Sequence, residues 1–172
     1  TPTNKRIMIA LDVSGSMGSP IMNSPLCAFE AVAAFAMVTA RTEPEHMIMA
    51  FSNNIVPLPI TAKMSMKEIF RIVSGMDFSR TDCALPMVYA HKNKIKLDAF
   101  GIYTDNETWV GRIHPKQALD KYRKEINPSA KSYVAAFSST GFSIADPKDP
   151  GMLDIVGLSS DIPAVIEWFL RR

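Results

Sequence analysis

Asp12, Ser14 and Ser16 stand on alternate positions of one short loop, directly after the apolar run at residues 7–11. A carboxylate and two hydroxyls at that spacing can all face one point. A second carboxylate, Asp105, follows another apolar run at residues 99–103, within Thr104-Asp105-Asn106-Glu107. A further hydroxyl, Thr81, lies in Arg80-Thr81-Asp82, just ahead of a helical pattern. These are oxygen donors only, and hard cations such as Mg²⁺ take oxygen ligands in octahedral geometry while keeping several waters. Because serine and threonine hydroxyls are neutral, an ion held by them stays electrophilic and accepts an anion at an open position. That chemistry suits binding better than storage.

Other readings of the same residues carry less. Short polar side chains also cap turns by satisfying loop amides. The phosphoryl-transfer motif DxDx(T/V) needs a second acid where this chain has Ser14. A serine-hydrolase elbow, GxSxG, needs glycine where Ser14 precedes Ser16. Neither GxxxxGK(S/T) nor a strand-borne GxGxxG occurs, so nucleotide binding has no motif. The expectation is therefore a binding module and not an enzyme, with metal-dependent phosphoryl transfer, or a metal that only stiffens loops, as the alternatives. Cys27 and Cys83 form no zinc-type array, and His46, His91 and His114 lie in different elements. Glu107 and Asp82 are as well explained by surface or capping roles as by support of the site.

The elements that must position these residues read as an alternation of strand and helix. Continuous apolar runs at residues 7–11, 47–51, 99–103 and 133–137, and a weaker one at 153–156, have the character of strands buried on both faces of a parallel sheet. Helical patterns occupy residues 24–41, 65–74, 82–92, 115–126 and 162–170. Asn53-Asn54 marks a hairpin into Ile55-Val56, ended by Pro57 and Pro59. The pattern predicts an α/β fold: a doubly wound, mostly parallel sheet with one antiparallel edge strand and helices on both faces. In such sheets ligands bind beyond the carboxyl ends of the strands, where the candidate residues fall.

The 172 residues fit one domain, with residues 1–5 as linker, and 47% hydrophobic against 21% charged residues is a globular composition. A net charge of +2 does not by itself call for nucleic acid or membrane. Lys116, Lys121, Arg123 and Lys124 share one helical pattern but lack an interleaved aromatic platform, which favours a solvated face. The longest apolar stretch, residues 26–40, is too short for a membrane span and carries Glu30. A soluble protein of the cytoplasm is expected, with the nucleus as the alternative compartment.

At these residues the chain resembles von Willebrand factor A (vWA) domains and their metal ion-dependent adhesion site, DxSxS followed by Thr and then Asp. Asp12, Ser14, Ser16, Thr81 and Asp105 match it in order. The resemblance implies a bound Mg²⁺, or another divalent cation such as Mn²⁺. The two serines and the threonine would contact it, and the two aspartates would act directly or through water. Thr81-Asp82-Cys83-Ala84-Leu85-Pro86-Met87, Thr104-Asp105-Asn106-Glu107-Thr108 and Gly151-Met152-Leu153-Asp154 narrow the resemblance to the vWA domains of the TROVE family of ribonucleoproteins. Ser79-Arg80 departs from it, standing where glycines are usual. The resemblance implies a protein partner offering an acidic side chain, and a neighbouring ring of helical repeats through which alone noncoding RNA would be bound.

Overall fold

The computed structural model describes residues 2–21, 24–76, 80–106, 111–138 and 143–172. Six strands form one sheet in the order β3-β2-β1-β4-β5-β6: β1 Ile7–Asp12, β2 His46–Phe51, β3 Ile55–Pro57, β4 Ala99–Asn106, β5 Lys131–Ser138 and β6 Met152–Val156. All neighbours pair in parallel except β2 and β3, which form the expected antiparallel hairpin with Phe51 opposite Ile55. The strand order reverses between β1 and β4, so the chain winds outwards from a cleft between the carboxyl ends of those two strands.

Every residue of β1 is buried because helices cover both faces of the sheet. Ile7, Ile9 and Leu11 face one core, shared with α1 Ala28–Thr42, α2 Met66–Ser74 and α5 Ile162–Arg171. Met8 and Ala10 face the other, shared with α3 Leu85–Lys92 and α4 Pro115–Glu125. Small residues on α1, among them Ala33, Ala36 and Ala40, let that helix lie close to the strands. On β4, Gly101 makes room for the Tyr133 side chain of β5; a Cβ there would collide with the Tyr133 hydroxyl and the ring edge that bears it.

Three boundaries differ from the sequence reading by three residues or more. The helix predicted over residues 24–41 begins at Ala28, because Leu26 spends its N–H on Ser24 Oγ (3.1 Å) and its carbonyl on Ile21 N (2.9 Å). Pro25 lies in that turn, and Glu30 caps the helix by accepting from Cys27 N at 2.8 Å. The helix predicted from residue 82 begins at Leu85, since Asp82 closes a turn by accepting from Ala84 N at 3.0 Å. The strand read from the apolar run at residues 99–103 extends through Thr104 and Asp105 to Asn106, staying paired with β5 through Thr104 opposite Ala136 and Asn106 opposite Ser138.

Candidate metal centre

Asp12 is the last residue of β1 and fully buried. Strand alternation puts its side chain on the α3–α4 face, in line with Met8 and Ala10. One carboxylate oxygen accepts from Ser14 N at 2.8 Å, which curls the following loop back over the strand end. The other accepts from Thr104 Oγ1 at 2.7 Å and from Thr81 Oγ1 at 3.2 Å. Burial drives the Asp12 pKa upwards, the hydrogen bonds from Thr104 and Ser14 oppose this, and the negative charge of Asp105 adds to it. A carboxylate so placed is short of positive charge.

The hydroxyls gather beside it. Ser14 Oγ lies 3.1 Å from Ser16 Oγ and accepts from Thr81 Oγ1 at 3.4 Å. Thr81 is steered there by its successor, whose amide donates to the carbonyl of buried Ser52 at the end of β2 (2.8 Å). Asp105 has the opposite strand parity to Thr104 and so emerges on the α1 side, where it and Ser16 line a small cleft of about 80 Å³ with Ser138 and Phe137. Ser138 Oγ donates to the Asp105 carbonyl at 2.6 Å, fixing the strand end. No hydrogen bond joins the Asp105 side chain to Asp12, Ser14, Ser16 or Thr81. The two carboxylates therefore flank the hydroxyls from opposite faces of the sheet.

This donor set fits a small hard cation. Octahedral Mg²⁺ with oxygen ligands at about 2.0–2.1 Å sets neighbouring ligands roughly 2.9 Å apart. The separations among Asp12, Ser14, Ser16 and Thr81, 3.1 to 3.4 Å, lie only tenths of an ångström above that. Among the described residues no group of three or more His, Cys, Asp or Glu side chains is placed to hold a metal. Cys83, next along from Thr81 and Asp82, is fully buried, and burial above all pushes its thiol well above the ordinary range, which disfavours the thiolate. His46 Nδ1 donates to the Glu43 carbonyl, His91 pairs with Glu125, and His114 caps α4, so the three histidines are apart, as expected.

Two supports escaped the sequence reading. Thr104 was visible only as the residue before Asp105, just past the apolar run, and that run does not show that strand parity aims it at Asp12. Ser52 carried no signal, because what it offers is its backbone carbonyl. Met17, which follows Ser16 in the loop, is buried and belongs to the core. Residues 22–23, 77–79 and 108–110, like Glu107, lie outside the described residues.

A doubly wound sheet of this order, with a carboxylate and hydroxyls gathered at its switch point, is the architecture of a vWA domain. The chain belongs to the Ro60 vWA domain family, whose profile matches residues 6–170. It is 44% identical over 170 residues to the RNA-binding protein RO60 of Caenorhabditis elegans, covering 98% of this chain and 26% of that protein. With the RNA-binding protein RO60 of Deinococcus radiodurans it shares 40% identity over 172 residues, covering 99% of this chain and 32% of that protein. The crystal structure of the D. radiodurans RO (RSR) protein superposes with a TM-score of 0.90 at 38% identity, over 99% of this chain and 35% of that one. The chain thus spans about a quarter to a third of these relatives. The fold extends to the mussel byssus proximal thread matrix protein 1, solved with a zinc-occupied MIDAS motif, at TM-score 0.60 and 13% identity over 96% of this chain and 44% of that one. Among the described residues no helix is long and apolar enough to cross a membrane.

Proposed function

We propose that this domain is a metal-dependent binding module, in which Ser14, Ser16 and Thr81 hold Mg²⁺ or a similar divalent cation such as Mn²⁺, with Asp12 and Asp105 acting directly or through water. The observation that carries the reading is the convergence of three hydroxyls on a buried carboxylate at the switch point. A bound cation supplies a Lewis-acidic position that a carboxylate from a protein partner can complete. The protein's own residues do the rest: Asp12 orders the loop through Ser14 N, Thr104 holds the Asp12 carboxylate, and Ser16 and Asp105 border the open side. The MIDAS motif named for the distant mussel protein is in keeping with this, and the likeness to that protein shows the fold alone.

The relatives are named RNA-binding proteins and are three to four times longer, so we place the domain within a ribonucleoprotein whose RNA is held by a neighbouring ring of helical repeats. We favour binding over phosphoryl transfer because Ser14 stands where the phosphoryl-transfer motif needs its second acid. A second reading, in which the metal only stiffens the loops, draws on the depth of Asp12 and its bonds to two threonines. Capture of partners from extract in Mg²⁺ and in EDTA separates the two. Bridging predicts partners lost in EDTA and with Thr81→Ala at unchanged melting temperature; equal capture in both buffers contradicts it.

A further inference from the structure

At the opposite end of the sheet from the metal centre, a cleft of about 500 Å³ opens between the start of β5, the 149–151 turn and the last turn of α5. Arg123, Lys131 and Arg172 line it, against one acid, Asp149. Asp149 is engaged by Arg123 at 2.5 Å. Lys131 has no such partner: its ammonium donates to the Phe169 carbonyl at 2.8 Å, and among the described residues it makes no ion pair. Burial, then the neighbouring Lys5 and Arg172 cations, hold its pKa below the ordinary lysine value. An anion entering the cleft would relieve that repulsion.

An aromatic platform adjoins these cations. Trp168 is 58% exposed, the most exposed large apolar side chain among the described residues, and the Arg172 guanidinium lies 4.7 Å from its ring centroid. On the inner side Lys131 lies 5.2 Å from the Phe169 ring. A flat indole backed by a guanidinium presents a stacking surface, and the cleft beside it presents uncompensated positive charge. Those are the two halves of a nucleotide's chemistry, since bases stack on aromatic rings and guanidinium planes while phosphates seek lysine and arginine. The basic face of α4 lacks this property: Lys116 is bonded to Asp120 at 2.7 Å and Arg123 to Asp149.

We propose that the Lys131–Arg172–Trp168 corner is a nucleotide-binding site, taking a phosphate in the cleft and a base against the Trp168–Arg172 stack, and that its ligand is a nucleotide unit of single-stranded nucleic acid. It is independent of the metal centre and of the reading given to it. The polar alternative, a free mononucleotide, shares the chemistry and differs in affinity and salt dependence.

The test uses this chain carrying Trp109→Phe, which leaves Trp168 as its sole tryptophan, titrated in EDTA with a ten-nucleotide oligouridylate or oligoadenylate and, separately, with UMP or AMP. The expected result is quenching of Trp168 fluorescence by the oligonucleotide. Its affinity should fall with salt by a slope matching about two or three phosphate contacts on a single strand. Lys131→Ala and Arg172→Ala should each weaken binding about five- to tenfold. Trp168→Ala should do so by about tenfold in a fluorescence-anisotropy assay, with Trp168→Phe recovering most of it. Mononucleotide binding as tight as that of the oligonucleotide, still lost in the Lys131 and Arg172 variants, would assign the site to free nucleotide. Binding indifferent to these substitutions, or oligonucleotide binding without a response from Trp168, would overturn the proposal. So would sedimentation showing a dimer that Trp168→Ala dissolves, with no quenching by nucleotide, which would make the corner a protein interface.

Discussion

Thr104 Oγ1 donates to Asp12 Oδ2 at 2.7 Å, joining the two central strands of the sheet across the point where the chain reverses its direction of winding. Asp12 and Thr104 are 0% exposed, so this bond is made without competing water. Its loss leaves a buried carboxylate with one donor fewer. Thr104→Val, which keeps the shape, should lower stability by about 1.5–3 kcal/mol, as for a hydrogen bond to a charged group. It should also weaken Mg²⁺ binding. Urea unfolding measures the first and titration the second; a variant as stable as the parent would show the bond to be dispensable.

Asp12 itself should behave in the opposite sense when no metal is present. Its carboxylate is buried among hydroxyls and near the negative charge of Asp105, so the charge is a burden to the empty fold. Asp12→Asn removes it and keeps an oxygen to accept from Ser14 N, while its amide NH2 can donate to the Thr104 hydroxyl. Thermal melts in EDTA should place the variant at or above the parent, and the rise in Tm that Mg²⁺ gives the parent should vanish. A marked fall in Tm in EDTA would mean that the carboxylate is a structural anchor.

Far from the site, Asp98 ties the start of β4 to Arg6, accepting from Arg6 N at 2.9 Å, Nε at 3.0 Å and the terminal guanidinium nitrogen at 2.8 Å. The Arg6 side chain, foremost, holds the Asp98 pKa below the usual carboxylate range. A carboxylate whose pKa is lowered by folding contributes stability above its unfolded pKa and loses it as pH falls through the folded one. Asp98→Asn should therefore lower Tm at pH 7, and the difference should shrink as the pH falls below the ordinary carboxylate range and the parent's Asp98 becomes protonated. A constant difference at every pH would assign the effect to packing.

Gly101 tests the packing that carries β4. Any Cβ there meets the Tyr133 side chain, which is fully buried against Tyr103. Gly101→Ala should cost on the order of 1–3 kcal/mol, the usual range for overpacking. Gly101→Ala in a Tyr133→Phe background should recover little, because the ring and not only the hydroxyl occupies the space. Full recovery would show that the hydroxyl alone sets the cost.

The strands were legible because a parallel sheet covered on both sides demands continuous apolar runs, and Ile7 to Leu11 is such a run. The edge hairpin was legible from Asn53-Asn54 and the prolines beyond it. The four residues that come together, Asp12, Ser14, Ser16 and Thr81, were legible as types at strand ends. What escaped has a common physical cause: polar residues inside a strand look like loop when their partners are distant in sequence. Thr104 and Asp105 continue β4 because Asp12 and Ser138 satisfy them, and neither partner is visible locally. Similarly, the start of α1 is set by Leu26, which donates to Ser24 Oγ and accepts from Ile21 N, bonds that compete with the helical pattern that Ser24-Pro25 suggests.

The most direct test of the proposed metal centre is calorimetric titration of the metal-free chain with MgCl₂, beside Asp12→Ala with its fold verified by circular dichroism. One saturable site in the parent, absent or weakened at least tenfold in the variant, is the predicted result. An Asp12→Ala chain that is folded and binds Mg²⁺ as tightly as the parent would contradict it.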